Sequence, residues 1–417
     1  MLRATATAGT FHSVHGTGDA LPLPDKPSIA VLPFTNMSGD PEQEYFTDGM
    51  VEEIITALSR IRWLFVIARN SSFIYKGKAI DIKQVGRELG VRYVLEGSVR
   101  KGGQKVRITG QLIDSLTGAH LWADRFDGSL EDIFELQDKV ATAIAGIIEP
   151  TLQNAEMRRS ADRPTNNLTA YDLYLRALAL RFAGPDREGI VAALDLLRRA
   201  IEHDPHYAPA LASAALCHIQ LYVSGWSTDL DREKRDGVNL ARRALQVTRD
   251  DPGVLVWSGY VLAHSGEDID AAIKLFDHAL ALNPSFAYGW YLGGWLRLWA
   301  GQPELAISHF ETSLRLSPQF RANIFLGIGI GYFLAQQFGE AAAMLLRALQ
   351  EQPSWPPTYR FLAACYAHMG RLDDAQNIVK RLRAITPVIV PDATHWRNPE
   401  HRELYLSGLR LAAGEAK

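Results

Sequence analysis

Two short segments of the chain gather residue types that could bind a metal ion or a ligand. Glu202, His203, Asp204 and His206 lie almost side by side, and an acidic glycine turn at 35–40 follows an apolar run. A metal ion would need further ligands to complete its coordination shell, and no second cluster supplies them. A phosphate loop would need glycines and a lysine, whereas the acids in and after this turn repel phosphate. We interpret both segments as solvated turns, with a metal site and a ligand loop as the respective alternatives.

The sequence contains no pattern of a known catalytic apparatus. HExxH, GxSxG, GxxxxGK[ST] and a Cys/His nucleophile arrangement are all missing. The two cysteines, Cys217 and Cys365, lie far apart in apolar helical stretches, which predicts buried free thiols in a reducing compartment. We therefore predict no catalytic residue, no cofactor and no metal site.

The strongest pattern is a repeat of helical pairs. A proline closes each pair at a period of about 34 residues, at Pro252, Pro284, Pro318, Pro353 and Pro387. Within a pair, small and large residues follow a fixed order, as in Ala272-x3-Phe276-x2-Ala279 and Trp290-x2-Gly293-Gly294. These spacings resemble the W-x2-L-G-x2-Y…A-x3-F…P pattern of the tetratricopeptide repeat. The resemblance implies an all-α solenoid of about five to six units over 168–390.

Two parts of this stack depart from the regular period. An insertion around 222–236 predicts a loop or an extra turn before Pro252. The tail 391–417 carries leucines among charged residues, which predicts a cap on the last repeat.

The first helices of the predicted solenoid carry large aromatic and aliphatic side chains at helical spacing. In tetratricopeptide proteins such helices line the concave groove, so the resemblance implies a groove that binds a peptide of a protein partner. The residues assigned to this groove are Tyr288, Tyr291, Trp295, Leu298, Trp299, Leu326, Ile330 and Phe333. The alternative is that most of them pack against adjacent helices. Lys and Asn are missing where chaperone-binding members hold a peptide carboxylate, which disfavours an acidic carboxy-terminal tail as the ligand.

A different pattern precedes the repeats. Apolar runs at 29–34 and 64–67 predict two buried strands, each followed by an amphipathic helix, and the alternation over 93–126 predicts a β-meander. A long helix after Ser129 completes an α/β domain with βαβα order, a meander and a helix. The predicted boundaries are 1–27 for a flexible leader or linker, 28–155 for the α/β domain and 156–167 for a linker. A frayed end of the preceding helix is the alternative for the polar stretch 153–167.

Four motifs of the α/β domain resemble a known family. They are Pro33-Phe34-x4-Gly39-Asp40, Phe46-Thr47-Asp48-Gly49-Met50, the segment 94–100 and the segment 121–126. Together they resemble the TolB-like amino-terminal domain of bacterial signalling proteins. In that group the domain precedes tetratricopeptide repeats and follows a class III adenylate or guanylate cyclase domain or a winged-helix DNA-binding domain. Since we find neither domain in this chain, the resemblance implies the carboxy-terminal half of such a protein.

Charge and hydropathy restrict the partners. The net charge is −3, with 44 basic and 47 acidic residues intermixed, which argues against nucleic-acid binding. No apolar run is long enough to span a membrane, so we expect a cytoplasmic location. We predict a non-catalytic protein–protein interaction or regulatory module associated with cyclic-nucleotide signalling, and the chain could form a homo-oligomer. An adenylate cyclase-type enzyme and the effector part of a transcriptional regulator are the alternatives.

Overall fold

The computed structural model describes residues 27–38, 44–78, 80–102, 105–129, 133–161, 169–182, 186–224, 226–317, 321–391, 393 and 396–415. Several predicted features lie outside these residues. They are most of the leader 1–27, the end of the linker 156–167, the turn at Gly39 and Asp40, and the period proline Pro318.

The amino-terminal part is an α/β domain built on a six-stranded sheet. Its strands are β1 (Ser28–Val31), β2 (Thr35–Asn36), β3 (Phe65–Val66), β4 (Tyr93–Gly102), β5 (Lys105–Asp114) and β6 (His120–Ser129). β1 pairs in parallel with β3 and β4, β2 pairs in parallel with β4, and β4, β5 and β6 form an antiparallel meander. Strands form at the predicted places and the meander is confirmed. β3 is not the predicted buried strand, since Phe65 is 50 % exposed. β2 occupies the first two residues of the segment 35–40 that the sequence predicts as a turn, and two residues are too few to produce an alternating pattern.

The helices of this domain are α1 (Glu44–Ser59), α2 (Arg69–Ser72), α3 (Ile82–Leu89) and α4 (Ile133–Ala161). α3 has a cap at each end. The Asp81 carboxylate accepts the Lys83 N–H at 3.1 Å, and Gly90 ends the helix with a φ of 64°. α1 and α4 pack against each other and carry most of the apolar residues that cover one face of the sheet.

α4 extends beyond the predicted end of the domain. The helix continues to Ala161, so the first residues of the predicted linker 156–167 are helical. Its last turns are held to the sheet by Glu156, which is 3 % exposed. Arg92 Nη1 donates to Glu156 Oε2 at 3.1 Å, and Tyr93 Oη donates to Glu156 Oε1 at 2.6 Å. Since breaking such a buried pair leaves an uncompensated charge, these contacts keep the helix intact past residue 155.

Helical pairs make up the rest of the chain, as predicted. They are α5 (Ala170–Phe182) with α6 (Arg187–His203), α7 (Ala208–Val223) with α8 (Leu230–Val247), α9 (Pro252–His264) with α10 (Ile269–Leu282), α11 (Ala287–Trp299) with α12 (Pro303–Leu316), α13 (Arg321–Leu334) with α14 (Phe338–Glu351), and α15 (Pro356–His368) with α16 (Leu372–Arg383). A last helix, α17 (Pro399–Ala413), follows.

The irregularity predicted around 222–236 is a longer loop between α7 and α8. Because α8 still packs on α9, the stack of helical pairs is continuous there. Among the described residues, no helix is long and apolar enough to cross a membrane.

Close packing between pairs depends on small residues opposite large rings. The ring of Phe310, fully buried, lies between α11 and α13. A Cβ added at Gly294 would lie 2.7 Å from this ring, and one added at Gly327 would lie 2.4 Å from it. Such distances are far below van der Waals contact, so both positions require glycine for the two helices to pack on Phe310.

We expect Gly327→Ala to destabilise the solenoid, because the new methyl group must displace the Phe310 ring. Overpacking of this kind lowers the free energy of unfolding by ~1–3 kcal/mol. The matched control is Gly339→Ala in the first turn of α14, where an added Cβ meets nothing within 4 Å. This control should be neutral or slightly stabilising, by up to ~1 kcal/mol. Urea unfolding followed by circular dichroism measures both, and equal effects would contradict the packing explanation.

Candidate functional site

The first helices of successive pairs contact one another and form one face of the solenoid. This first-helix face is made by α5, α7, α9, α11, α13 and α15. It is rich in aromatic residues from one end to the other. The predicted groove residues all belong to α11 and α13, in the middle of the face.

Most of the predicted groove residues are buried rather than open to a partner. Leu298, Trp299, Leu326, Ile330 and Phe333 are between 0 and 7 % exposed. Tyr288, Tyr291 and Trp295 are half-buried and retain surface on the first-helix face. A groove lined by all eight side chains therefore does not exist in this structure, because five of them are core residues.

The carboxy-terminal segment explains part of this burial. Arg397 N donates to Trp299 O at 3.0 Å, and Arg397 Nη2 donates to Ala263 O at 3.0 Å. Further along, Tyr405 of α17 stacks on Phe361 of α15, with ring centroids 4.1 Å apart. The segment 396–413 thus packs across the first-helix face from the end of α9 to α15. It does more than cap the last repeat, since it covers residues of three earlier pairs.

A cavity of about 460 Å³ lies at the amino-terminal ends of α5, α7, α9 and α11, where the α/β domain meets the solenoid. The α/β domain contributes the loop after α1 and the middle of α4, and the solenoid contributes the starts of α5, α7, α9 and α11. Aromatic side chains provide much of the wall: Trp63, Tyr171, Tyr174, Tyr207, Trp257 and Tyr288. Cavities of this size and composition commonly bind small organic molecules.

Polar contacts join the two domains around the cavity. Arg62 forms an ion pair with Asp250, and Arg62 Nε also donates to Asp250 O at 3.2 Å. Asn283 Nδ2 donates to Glu149 Oε2 at 3.4 Å across the cavity wall. α4 also packs on α12, so closely that a Cβ added at Gly146 would lie 3.1 Å from Leu316.

Two carboxyl groups of the cavity wall have perturbed pKa values. Burial raises the pKa of Glu149 to about 7, against the lowering effect of hydrogen bonds from Asn283 and Trp63, and the nearby Asp251 adds to the rise. Burial also raises the pKa of Asp251, although its carboxylate caps α9 by accepting the Val254 N–H at 3.0 Å. Burial is likewise the main cause of the raised pKa values of Tyr171, Tyr174 and Tyr207, so their hydroxyl groups stay neutral.

The segment around Glu202 to His206 lies on the exposed turn between α6 and α7. Asp204 Oδ1 accepts the His206 N–H at 3.0 Å, which closes this turn. Among the residues that the structure describes, no group of three or more His, Cys, Asp or Glu side chains is placed to hold a metal ion.

The sequence patterns missed the cavity. Only Tyr288 of the predicted groove residues lines the cavity, because the groove prediction used the spacing of side chains within single helices. The available signal was an aromatic residue recurring on successive first helices, at Tyr171 and Tyr174, Trp257 and Tyr288. Glu149 gave a second signal, as an acid followed by Pro150 inside an otherwise apolar stretch.

The fold is therefore an α/β domain joined to a helical-repeat solenoid, and a family model matches a segment of each part. A family model of the tetratricopeptide repeat matches residues 332–391. The model of the second domain of HilA/YgeH-like transcriptional regulators matches residues 25–143. The α/β domain thus matches a domain of transcriptional regulators. This match does not confirm the predicted resemblance to the TolB-like domain.

Similar proteins were found among curated sequences and solved structures. The chain is 47% identical over 232 residues to a protein named putative adenylate cyclase 3 of Rhizobium meliloti (strain 1021), a match that covers 55% of this chain and 39% of that one. The chain thus spans well under half the length of this curated relative. Among solved structures, the Cut9–Hcn1 hetero-tetramer of APC/C matches with a TM-score of 0.45 and 15% identity over 67% of this chain and 49% of that chain. Pseudomonas aeruginosa PilF matches with a TM-score of 0.40 and 19% identity over 55% and 95%.

The raised pKa of Glu149 predicts a pH-dependent cost to stability. Below pH 4.5 the carboxyl is protonated in both the folded and the unfolded chain, so it costs nothing. As pH rises to about 7, the unfolded chain releases this proton first, and the folded state is penalised. Above that pH the penalty is complete and amounts to ~3 kcal/mol.

Glu149→Gln removes this penalty while keeping an acceptor for Asn283. We expect the variant to gain stability relative to the wild type between pH 4.5 and pH 7, and to keep a constant advantage above that range. Urea unfolding at several pH values measures the difference. Glu311→Gln, at an exposed position of α12, is the control, and an equal pH trend in both variants would contradict the prediction.

Proposed function

We propose that this chain is a non-catalytic protein–protein interaction and regulatory module of a bacterial signalling protein associated with cyclic-nucleotide synthesis. The observation that carries the proposal is the first-helix face of a tetratricopeptide-type solenoid. Segment 396–413 occupies part of this face, and it is a helix that presents aromatic and leucine side chains. The face is therefore suited to an amphipathic helix, and Tyr291 and Trp295 give it a half-buried aromatic stretch that retains some surface.

The link to cyclic-nucleotide signalling rests on the relative named putative adenylate cyclase 3. The proposed role is to regulate a catalytic part rather than to act as one, because the sequence contains no pattern of a known catalytic apparatus. The motifs at 33–40, 46–50, 94–100 and 121–126 support a TolB-like description of the α/β domain as part of the same proposal. The proposed location is the cytoplasm, where the buried free thiols of Cys217 and Cys365 stay reduced.

A second candidate is the effector part of a transcriptional regulator. The match of residues 25–143 to a domain of HilA/YgeH-like transcriptional regulators favours it. Both candidates use the chain as a non-catalytic module, and they differ in the protein that it controls.

The proposed partner surface can be tested with a photo-crosslinking amino acid. We expect p-benzoylphenylalanine in place of Tyr291 to give a covalent protein adduct in living bacteria, because this half-buried position retains some surface on the first-helix face. The same residue in place of Glu311, on the outer surface of α12, is the control and should give no adduct. Mass spectrometry identifies the adduct. A nucleotide cyclase would support the first candidate, a DNA-binding protein would support the second, and equal or no labelling at the two positions would contradict both.

The alternative of an enzyme requires its own measurement. We expect the purified chain, incubated with ATP and Mg²⁺ or Mn²⁺, to form no cyclic AMP above a heat-denatured sample. A bacterial class III cyclase assayed in parallel verifies the detection. Sustained cyclic AMP formation by the chain alone would overturn the non-catalytic proposal.

A further inference from the structure

The cavity between the α/β domain and the solenoid has an interior that differs from its rim. Its interior is formed by neutral aromatic groups, including Tyr171, Tyr174 and Trp257, and by the carboxyl groups of Glu149 and Asp251. Aromatic rings present a negative face to a positive charge, and Trp and Tyr do so most strongly. The interior therefore offers negative potential from two independent sources, the rings and the carboxyl groups.

The described basic groups near the cavity leave Glu149 without an ionic partner. Arg62 is engaged with Asp250, and its side chain is 51 % exposed. Arg60 is exposed at the rim. Arg181 lies beyond the wall, over the ring of Trp257 at 5.6 Å, and donates to Ser213 Oγ at 3.0 Å. The positive charge of Arg62 acts to lower the pKa of Asp251, against the larger effect of burial. For Glu149, the groups that affect the pKa include no basic side chain of the described residues.

Glu149 and Asp251 differ in the hydrogen bonds that they can offer to a ligand. The Asp251 carboxylate already accepts a hydrogen bond from the first turn of α9, so its main contribution to a ligand is its negative charge. The Glu149 carboxyl has only amide and indole donors, from Asn283 and Trp63. A charged donor placed beside Glu149 would therefore add an interaction that the protein does not supply.

We propose that this cavity is a binding site for a small organic cation, an amine with an aromatic or similarly flat apolar body. The ammonium group binds the Glu149 carboxylate, and the apolar body packs among the tyrosine and tryptophan rings. Because the walls belong to both domains, the bound cation holds the α/β domain against the solenoid. The site goes beyond the partner-binding role proposed above, and it involves neither Tyr291 nor α17.

Three indole compounds of matched size distinguish the charge of the ligand. Tryptamine carries an ammonium group, tryptophol has a hydroxyl group in its place, and indole-3-propionate is an anion. Isothermal titration calorimetry on the full chain at pH 8 measures each affinity. We expect tryptamine to bind with a sub-millimolar dissociation constant, about tenfold or more tighter than tryptophol, and indole-3-propionate to bind weakest.

Two variants then locate the ammonium group. Glu149→Gln should weaken tryptamine binding about tenfold and leave tryptophol binding unchanged, because only the charge of the wall is removed. Glu311→Gln, with its exposed side chain on α12, should change neither. Unchanged tryptophol binding also shows that the cavity of the Glu149 variant is intact.

Four results would overturn the proposal. They are failure of all three compounds to bind the wild type, equal binding of tryptamine and tryptophol, tightest binding of indole-3-propionate, and equal loss of tryptamine and tryptophol binding in the Glu149 variant. The wild-type series decides the charge preference even if the variant does not fold. The crosslinking result at Tyr291 is independent of all four, so failure of this site and failure of the partner surface are distinguishable.

Discussion

Helix α4 is buried from two sides, and this double contact fixes the relation between the α/β domain and the solenoid. One side carries Val140, Ile144 and Ile148 into the core beneath the sheet. Another side places Gly146 against Leu316 and Glu149 beside Asn283. A helix that satisfies both partners cannot turn about its own axis without exposing one apolar set or the other. The cavity walls, and the angle at which the solenoid leaves the α/β domain, follow from that constraint.

Other parts of the chain cover two regions of the first-helix face. α4 and the loop after α1 close the cavity at the starts of α5, α7, α9 and α11. The segment 396–413 covers the end of α11 and parts of α13 and α15. Tyr291 and Trp295 lie between these two regions, where Trp295 packs edge-on to Phe310 at 5.5 Å. A solenoid usually leaves a long surface for partners, whereas here a short central stretch is left.

The sequence predicts the repeated elements well because their constraints are local. The period prolines and the order of small and large residues each act within one turn or one helical pair, so spacing alone reveals them. The end of α4 is missed because it depends on Glu156 reaching Arg92 and Tyr93 across the domain. No local pattern marks that contact.

The site is predicted less well than the fold, for a related reason. Side chains such as Trp299 and Phe333 have the spacing of a groove, but whether they are open depends on the distant residues Arg397 and Tyr405 that cover them. The cavity also depends on tertiary contacts, since its wall residues Trp63, Glu149 and Tyr207 come from three separate parts of the chain. Sequence spacing identifies which residues share a helix face, and tertiary contacts decide which of those faces remain exposed.

The length of α4 has a mechanical consequence. From Glu149 to the start of the helix near residue 133 the axis runs about 24 Å, at 1.5 Å per residue. The far end lies against β6. One continuous helix therefore joins the cavity wall to the edge strand of the sheet, and the core residues of α4 lie between these two points. A shift of the helix axis at either point must be accommodated by that core, so the cavity wall and the edge strand share one packing constraint.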